Sequence, residues 1–224
     1  MKNLQNISIC FDLDGTLIDT APDLIRVLNE VIALENLPKT NFKEARKNVG
    51  YGARKLIIEA LRREKKEVGS CRLDQLQEIF MQLYAKNMCL LSKPYPGVRD
   101  VLNILKQKGA ELSICTNKPG YLARPLIKDL SLSKFFIRIV GSDDLIRNKP
   151  YPDHIWTAAG HRGTKKRIIM VGDSLPDVIS AHKARVPSIV MQYGYSTIPA
   201  RRLGGDYVLQ HFKELPLVIN KLIY

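Results

Sequence analysis

Cysteine is scarce, and the four residues present stand apart, with no CxxC pair among the 224 positions. A disulfide framework or a cysteine zinc cluster is thereby excluded as the organising feature. Cys10 and Cys115 each fall inside an apolar run, where a small buried thiol is expected. No hydrophobic stretch approaches the roughly 18 residues that suggest a membrane span. Acids interrupt the opening MKNLQNISICFDLDG, so it does not read as a signal peptide. A cytoplasmic protein with no membrane partner is expected. There is no internal repeat and no low-complexity linker. None of the four histidines stands beside a serine or cysteine in a nucleophile motif, which argues against a triad hydrolase. The Val49-Gly-Tyr-Gly52 turn fits neither the phosphate-loop nor the dinucleotide pattern.

Acidic residues are outnumbered as well: 35 Lys and Arg against 22 Asp and Glu, a net charge of +13. Such an excess attracts anions, whether nucleic acid or a phosphorylated metabolite. The densest basic runs, RREKKE at 62–67 and RGTKKR at 162–167, match no helix-turn-helix, zinc-finger or aromatic-platform pattern. A solvated basic surface accounts for them, and no nucleic-acid partner is expected.

What is present is organised around ISICFDLDGTLIDT at 7–20. An apolar run from Ile7 to Phe11 suits a buried strand. It ends in Asp12 and Asp14, two acids that a core tolerates only when they are paired or metal-bound. Side chains two apart share a face of an extended segment, so both carboxylates could flank one reaction centre. Gly15 and Thr16 then allow a tight turn with backbone N–H groups toward an anion.

Helical periodicity dominates from there to about residue 90. The spacing predicts helices to about Leu34, over Phe42 to Asn48, Ala53 to Arg62 and Leu73 to Met88, with Asp19 or Thr20 capping the first. Strands return afterwards, at Glu111–Cys115, Phe135–Val140, Arg167–Val171, Ser188–Gln192 and Tyr207–Leu209, with helices between them. Residues 1–16 and 91–224 thus form an α/β core, a Rossmann-like, mostly parallel sheet flanked by helices. Residues 17–90 form a helical domain inserted after the first strand.

Four of the strands end in polar residues: Asp12 and Asp14, Thr116 and Asn117, Ser142 to Asp144, and Asp173. Open parallel sheets bind ligands beyond their carboxyl ends. Asp12, Asp14 and Asp173, with Asp177 nearby, would repel one another without a cation, and hard oxygen ligands point to magnesium. Helix-start roles would also account for Asp173 and Asp177 taken singly. Lys149 could neutralise a carboxylate or a phosphoryl oxygen, or be a surface lysine. Thr116 and Asn117 could donate to phosphate, or simply turn the chain before Pro119.

In this order, DLDGT at 12–16, ICTN at 114–117, Lys149 in NKPYP and VGDSLPD at 171–177 resemble the four motifs of the haloacid dehalogenase superfamily, over essentially the whole chain. FDLDGTLIDTAPDL, VGYGARKLI, YPGVRDVL, CTNKP, KPYPD and YGYS are most similar to the superfamily's bacterial phosphoglycolate phosphatases. The resemblance implies an inserted helical type 1 cap, magnesium as cofactor, and a small phosphorylated metabolite as substrate. It implies Asp12 as nucleophile and Asp14 as proton carrier. It further implies metal binding by Asp12, the Asp14 carbonyl and Asp173 with support from Asp177, and phosphoryl contacts from Thr116, Asn117 and Lys149. Gly50 and Gly52 would allow close approach to the substrate, and Arg54 or Arg46 would meet its carboxylate. A monomer or homodimer is expected.

Asp14 argues against a dehalogenase, and only Lys43, Lys47 and Lys55 keep a phosphonate hydrolase in view. A pyrophosphatase, nucleotidase or sugar-phosphate mutase shares these core motifs. A regulatory or nucleic-acid-binding protein on the same fold would be favoured if a core acid were missing, and none is.

Overall fold

Ile7–Phe11 (β1) is buried along its whole length, as its unbroken apolar run requires of a strand covered on both faces. The remaining strands are Ile18–Asp19 (β2), Lys93–Pro94 (β3), Glu111–Cys115 (β4), Arg138–Val140 (β5), Arg167–Gly172 (β6), Ser188–Met191 (β7) and Tyr207–Leu209 (β8). Six of them form one parallel sheet in the order β5-β4-β1-β6-β7-β8. The computed structural model describes residues 3–160 and 167–223, so the basic run at 162–167 lies, apart from Arg167, outside the described residues.

From β1 the chain builds outward through β4 and β5, then returns to the other side of β1 with β6. The order therefore reverses between β1 and β6, and ligands in such sheets bind at the carboxyl ends of the strands at this point. Register decides what gathers there. Phe11 lies opposite both Ile114 and Val171, so β1, β4 and β6 end within one residue of the same level. Asp12 follows Phe11 directly, and Thr116 and Asp173 follow after one further residue, Cys115 and Gly172.

The chain divides into two compact units, Met1–Ile18 with Pro94–Tyr224, and Asp19–Lys93. The two crossings pair as a two-stranded ribbon, β2 with β3. Sequence patterning does not reveal this ribbon, because two residues a side carry no periodicity.

In the second unit, Ala21–Ala33 (α1), Phe42–Arg46 (α2), Ala53–Arg63 (α3) and Ser70–Lys86 (α4) follow one another. Helix α1 packs against both α3 and α4. Leu28 and Ile32, Leu56 and Ile57, and Leu76 and Phe80 are buried at the i, i+4 and neighbouring spacings that make these helices amphipathic. Thr20 occupies the cap position of α1 but makes no side-chain cap bond. Asp23, in the first turn, has a different task. Its buried carboxylate accepts from the Leu91 and Ser92 N–H groups at 2.9 and 2.8 Å and from the Ser92 hydroxyl at 2.8 Å.

In the first unit, Val98–Gln107 (α5), Gly120–Asp129 (α6), Asp153–Ala159 (α7), Leu175–Ala184 (α8) and Leu215–Ile223 (α9) flank the sheet. Pro125 lies inside α6 without splitting it. Strand β5 starts at Arg138 rather than Phe135. Ser133–Phe135 instead forms a turn of 3-10 helix, in which Phe136 N–H bonds the Ser133 carbonyl and is lost to the ladder. Cys10 and Cys115 are both fully buried, as their apolar runs require. Among the described residues, no helix is long and apolar enough to cross a membrane.

Candidate active site

Asp12, Asp173 and Asp177 converge at the switch point, each offering a carboxylate oxygen within 4.8 Å of the others. All three are buried. Lys149 enters from the loop before α7 and places its ammonium 2.8 Å from Asp12 Oδ1 and 2.6 Å from Asp177 Oδ1. Burial alone would favour loss of the lysine proton, but the two carboxylates overcome this and hold the ammonium above the ordinary lysine range. Burial raises the Asp12 pKa to about 6, against the attraction of Lys149 and with added repulsion from Asp177. Asp173 is raised well above its usual value, first by burial and then by Asp12 and Asp177.

Each acid is held by specific donors. Asp173 accepts from the Thr16 hydroxyl at 3.1 Å and from the Tyr195 N–H at 2.7 Å. This support requires glycine on both sides. Gly15 has φ +86°, and a Cβ there would lie 2.7 Å from Asp173 Oδ2. A Cβ on Gly194 would lie 2.2 Å from both the Cβ and Oδ2 of Asp173. Asp177 divides its work. Oδ2 accepts from the Asp173 and Ser174 N–H groups at 3.2 and 3.0 Å, closing the start of α8, while Oδ1 holds Lys149. It is thus both a helix-start charge and a member of the cluster.

The donor set suits a hard divalent cation. It is all oxygen, is largely buried, and carries three carboxylates against one ammonium. Bonds of about 2.1 Å would place ligand oxygens at most about 4.2 Å apart, so the cluster needs only slight contraction. A cavity of about 310 Å³, bordered by Gln192, Ser196 and Arg201, opens on Asp173.

Asp14 is not part of this cluster. Its two carboxylate oxygens each lie 3.2 Å from the ammonium of Lys118, whose side chain is almost wholly buried. Lys118 is a residue that sequence reasoning passed over. The same loop fixes Thr116 and Asn117. Thr116 Oγ1 accepts the Lys118 N–H at 3.1 Å, and the Asn117 amide donates to the Lys149 carbonyl at 3.0 Å. His154, fully buried, accepts the Lys149 N–H on Nδ1 at 3.3 Å and bonds the Val140 carbonyl through Nε2 at 3.0 Å. Burial, then the Lys149 charge, lowers its pKa to about 4.

The other predicted residues lie in the helical unit. Arg46 is the last residue of α2. Gly50 is in a 3-10 turn, Val49–Tyr51, and Gly52, with φ +85°, precedes α3. Arg54 is engaged with Asp74 at 2.5 Å and with Gln77 at 3.1 Å.

A parallel sheet with this carboxylate cluster at its switch point is the architecture of an aspartate-based hydrolase of phosphatase type. The chain belongs to the haloacid dehalogenase-like hydrolase family, whose model matches residues 9–191. It is 40% identical over 215 residues to a phosphoglycolate phosphatase of Agrobacterium fabrum, covering 95% of this chain and 92% of that one. The identity is 37% over 217 residues to a phosphoglycolate phosphatase of Caulobacter vibrioides, covering 96% and 92%. The crystal structure of a predicted phosphoglycolate phosphatase from Haemophilus somnus superposes with a TM-score of 0.86 at 28% identity, covering 98% of this chain and 99% of that one.

Proposed function

We propose that this protein is a magnesium-dependent phosphate monoester hydrolase acting on 2-phosphoglycolate or a similar small phosphorylated metabolite through an aspartyl-phosphate. The observation that carries the proposal is Asp12, buried at the end of β1, held by Lys149 and facing Asp173 and Asp177. A carboxylate fixed in this way is a nucleophile with its counter-charge already in place.

Asp12 attacks phosphorus, the bond to the ester oxygen breaks with its electron pair going to the alcohol, and Asp14 gives that oxygen a proton. Water then attacks the aspartyl-phosphate while Asp14 takes its proton, releasing inorganic phosphate and restoring both acids. Lys149 binds a phosphoryl oxygen and offsets developing charge, with Thr116 and Asn117, on the loop after β4, as further phosphoryl contacts. Asp12, the Asp14 carbonyl and Asp173 would hold magnesium, with Asp177 in support. The ion, when bound, neutralises phosphoryl charge. On the same reading, the helical unit is the cap that chooses the substrate, with Gly50, Gly52, Arg46 and Arg54 as its candidate contacts. Arg54 would first have to leave Asp74.

The test is phosphate release with and without magnesium, on a panel of 2-phosphoglycolate, sugar phosphates, pyrophosphate and nucleotides. Turnover is expected to be highest on 2-phosphoglycolate and absent in Asp12→Asn. The proposal fails if no divalent ion raises turnover above that variant.

A further inference from the structure

We infer that Lys118 is the positioning residue for Asp14, fixing the direction in which its carboxyl presents a proton. The inference rests on the reading of Asp14 as proton carrier. It starts from a buried ammonium aimed at a partly exposed acid. Lys118 Nζ sits at 3.2 Å from both Asp14 oxygens, with 4% of the lysine side chain and 20% of the aspartate side chain exposed.

Lys118 is itself fixed at both ends of its peptide. Its N–H bonds the Thr116 hydroxyl oxygen, and its carbonyl accepts the Ser142 N–H at 3.2 Å. The stem therefore leaves a rigid loop, and the ammonium cannot follow a wandering carboxylate. An ammonium has donors only. When Asp14 carries a proton, that proton must point away from Lys118, while a free lone pair of the carboxyl still accepts from the lysine. The exposed side of Asp14 is then the side that bears the O–H, which is where an ester oxygen has to arrive. Without Lys118 the carboxyl rotates about its own bond and spends only part of its time aligned. Proximity without alignment forfeits much of the gain from a bound catalytic group.

An effect that works through Asp14 depends on the leaving group. An alkyl phosphate such as 2-phosphoglycolate expels a strongly basic oxygen that needs the proton. p-Nitrophenyl phosphate expels a stable phenolate that does not. For Lys118→Met we expect kcat on 2-phosphoglycolate to fall about ten- to a hundredfold, a share of the roughly 10²–10⁴ that general acid–base catalysis supplies. Turnover of p-nitrophenyl phosphate should change less than about threefold, and KM for either substrate little. Lys118→Arg, which keeps charge and donors, should recover part of the loss and carries the test if the methionine variant does not fold. Asp14→Asn with Lys118→Met should be no slower than Asp14→Asn alone, because residues acting through one group are not additive.

Equal losses on both substrates, a KM effect without a kcat effect, or an additive double variant would overturn the inference. Asp14→Asn is the internal reference. If it shows the leaving-group pattern and Lys118→Met does not, only the inference falls. If Asp14→Asn shows no such pattern, the reading of Asp14 falls with it.

Discussion

Gly194→Ala is a one-carbon change with a computable consequence. The added Cβ would sit 2.2 Å from Asp173 Cβ and Oδ2, and 2.4 Å from its Cγ. Carbon atoms rest about 3.5–4.0 Å apart, so more than an ångström has to be found by moving the loop after β7 or the acid itself. Asp173 cannot yield freely, because Thr16 and Tyr195 grip its two oxygens. The loop can, and Tyr195 is the next residue, so relief at position 194 draws its N–H off Asp173. Overpacking costs about 1–3 kcal/mol, and Tm should fall by roughly 2–4 °C per kcal/mol for a chain of this size. With Asp173 as the proposed magnesium ligand, losing a donor behind it should cost about 10- to 100-fold in metal affinity. The assay is a magnesium titration of phosphate release beside a thermal melt. A lower Tm with about a tenfold or greater rise in half-saturating magnesium is expected. If the variant titrates with magnesium within twofold of the parent, close approach at Gly194 does not hold Asp173, and the reasoning is wrong.

Two further outcomes concern stability. His154 is held below its unfolded value of 6.5, at about 4, so the fold resists its protonation. The unfolded chain binds the extra proton, and stability present above pH 6.5 is lost as pH falls toward 4, by about 3 kcal/mol. The difference in urea midpoint between the parent and His154→Asn should therefore shift in the variant's favour over that window. A pH-independent difference refutes it. Asp23→Ala leaves the Leu91 and Ser92 N–H groups without their acceptor, and should cost about 2–4 kcal/mol in equilibrium unfolding. A cost under about 0.5 kcal/mol would mean that water replaces the carboxylate.

Much of this was legible in the residues, for a physical reason that also marks the limit. The strand at 7–11 could be read because a buried parallel strand needs an unbroken apolar run, and Asp12 could be read because nothing apolar explains an acid there. The same logic found Asp173 after Ile168–Val171 and placed both at sheet ends. What it could not supply was register: Phe11 against Val171 rather than one residue away is a choice of pairing, not of composition. Nor could it find partners that act through the backbone, since the Tyr195 N–H that holds Asp173 is a group every residue but proline owns.

Lys118 shows the limit most plainly. Beside Thr116 and Asn117 it reads as one lysine among a large basic excess, and a lysine on a turn is ordinarily solvated. Its burial is set by elements distant in sequence, β1 bringing Asp14 and the loop after β5 bringing Ser142. Asp12 and Asp14 read as two carboxylates able to flank one reaction centre. The fold gives each acid its own lysine: Asp12 is held by Lys149 and Asp14 by Lys118. Two identical side chains two residues apart thus acquire different surroundings, one sealed within the carboxylate cluster and one left partly open. The proposed roles of nucleophile and proton carrier require that difference, and it arises from where the two lysines are anchored rather than from the aspartates themselves.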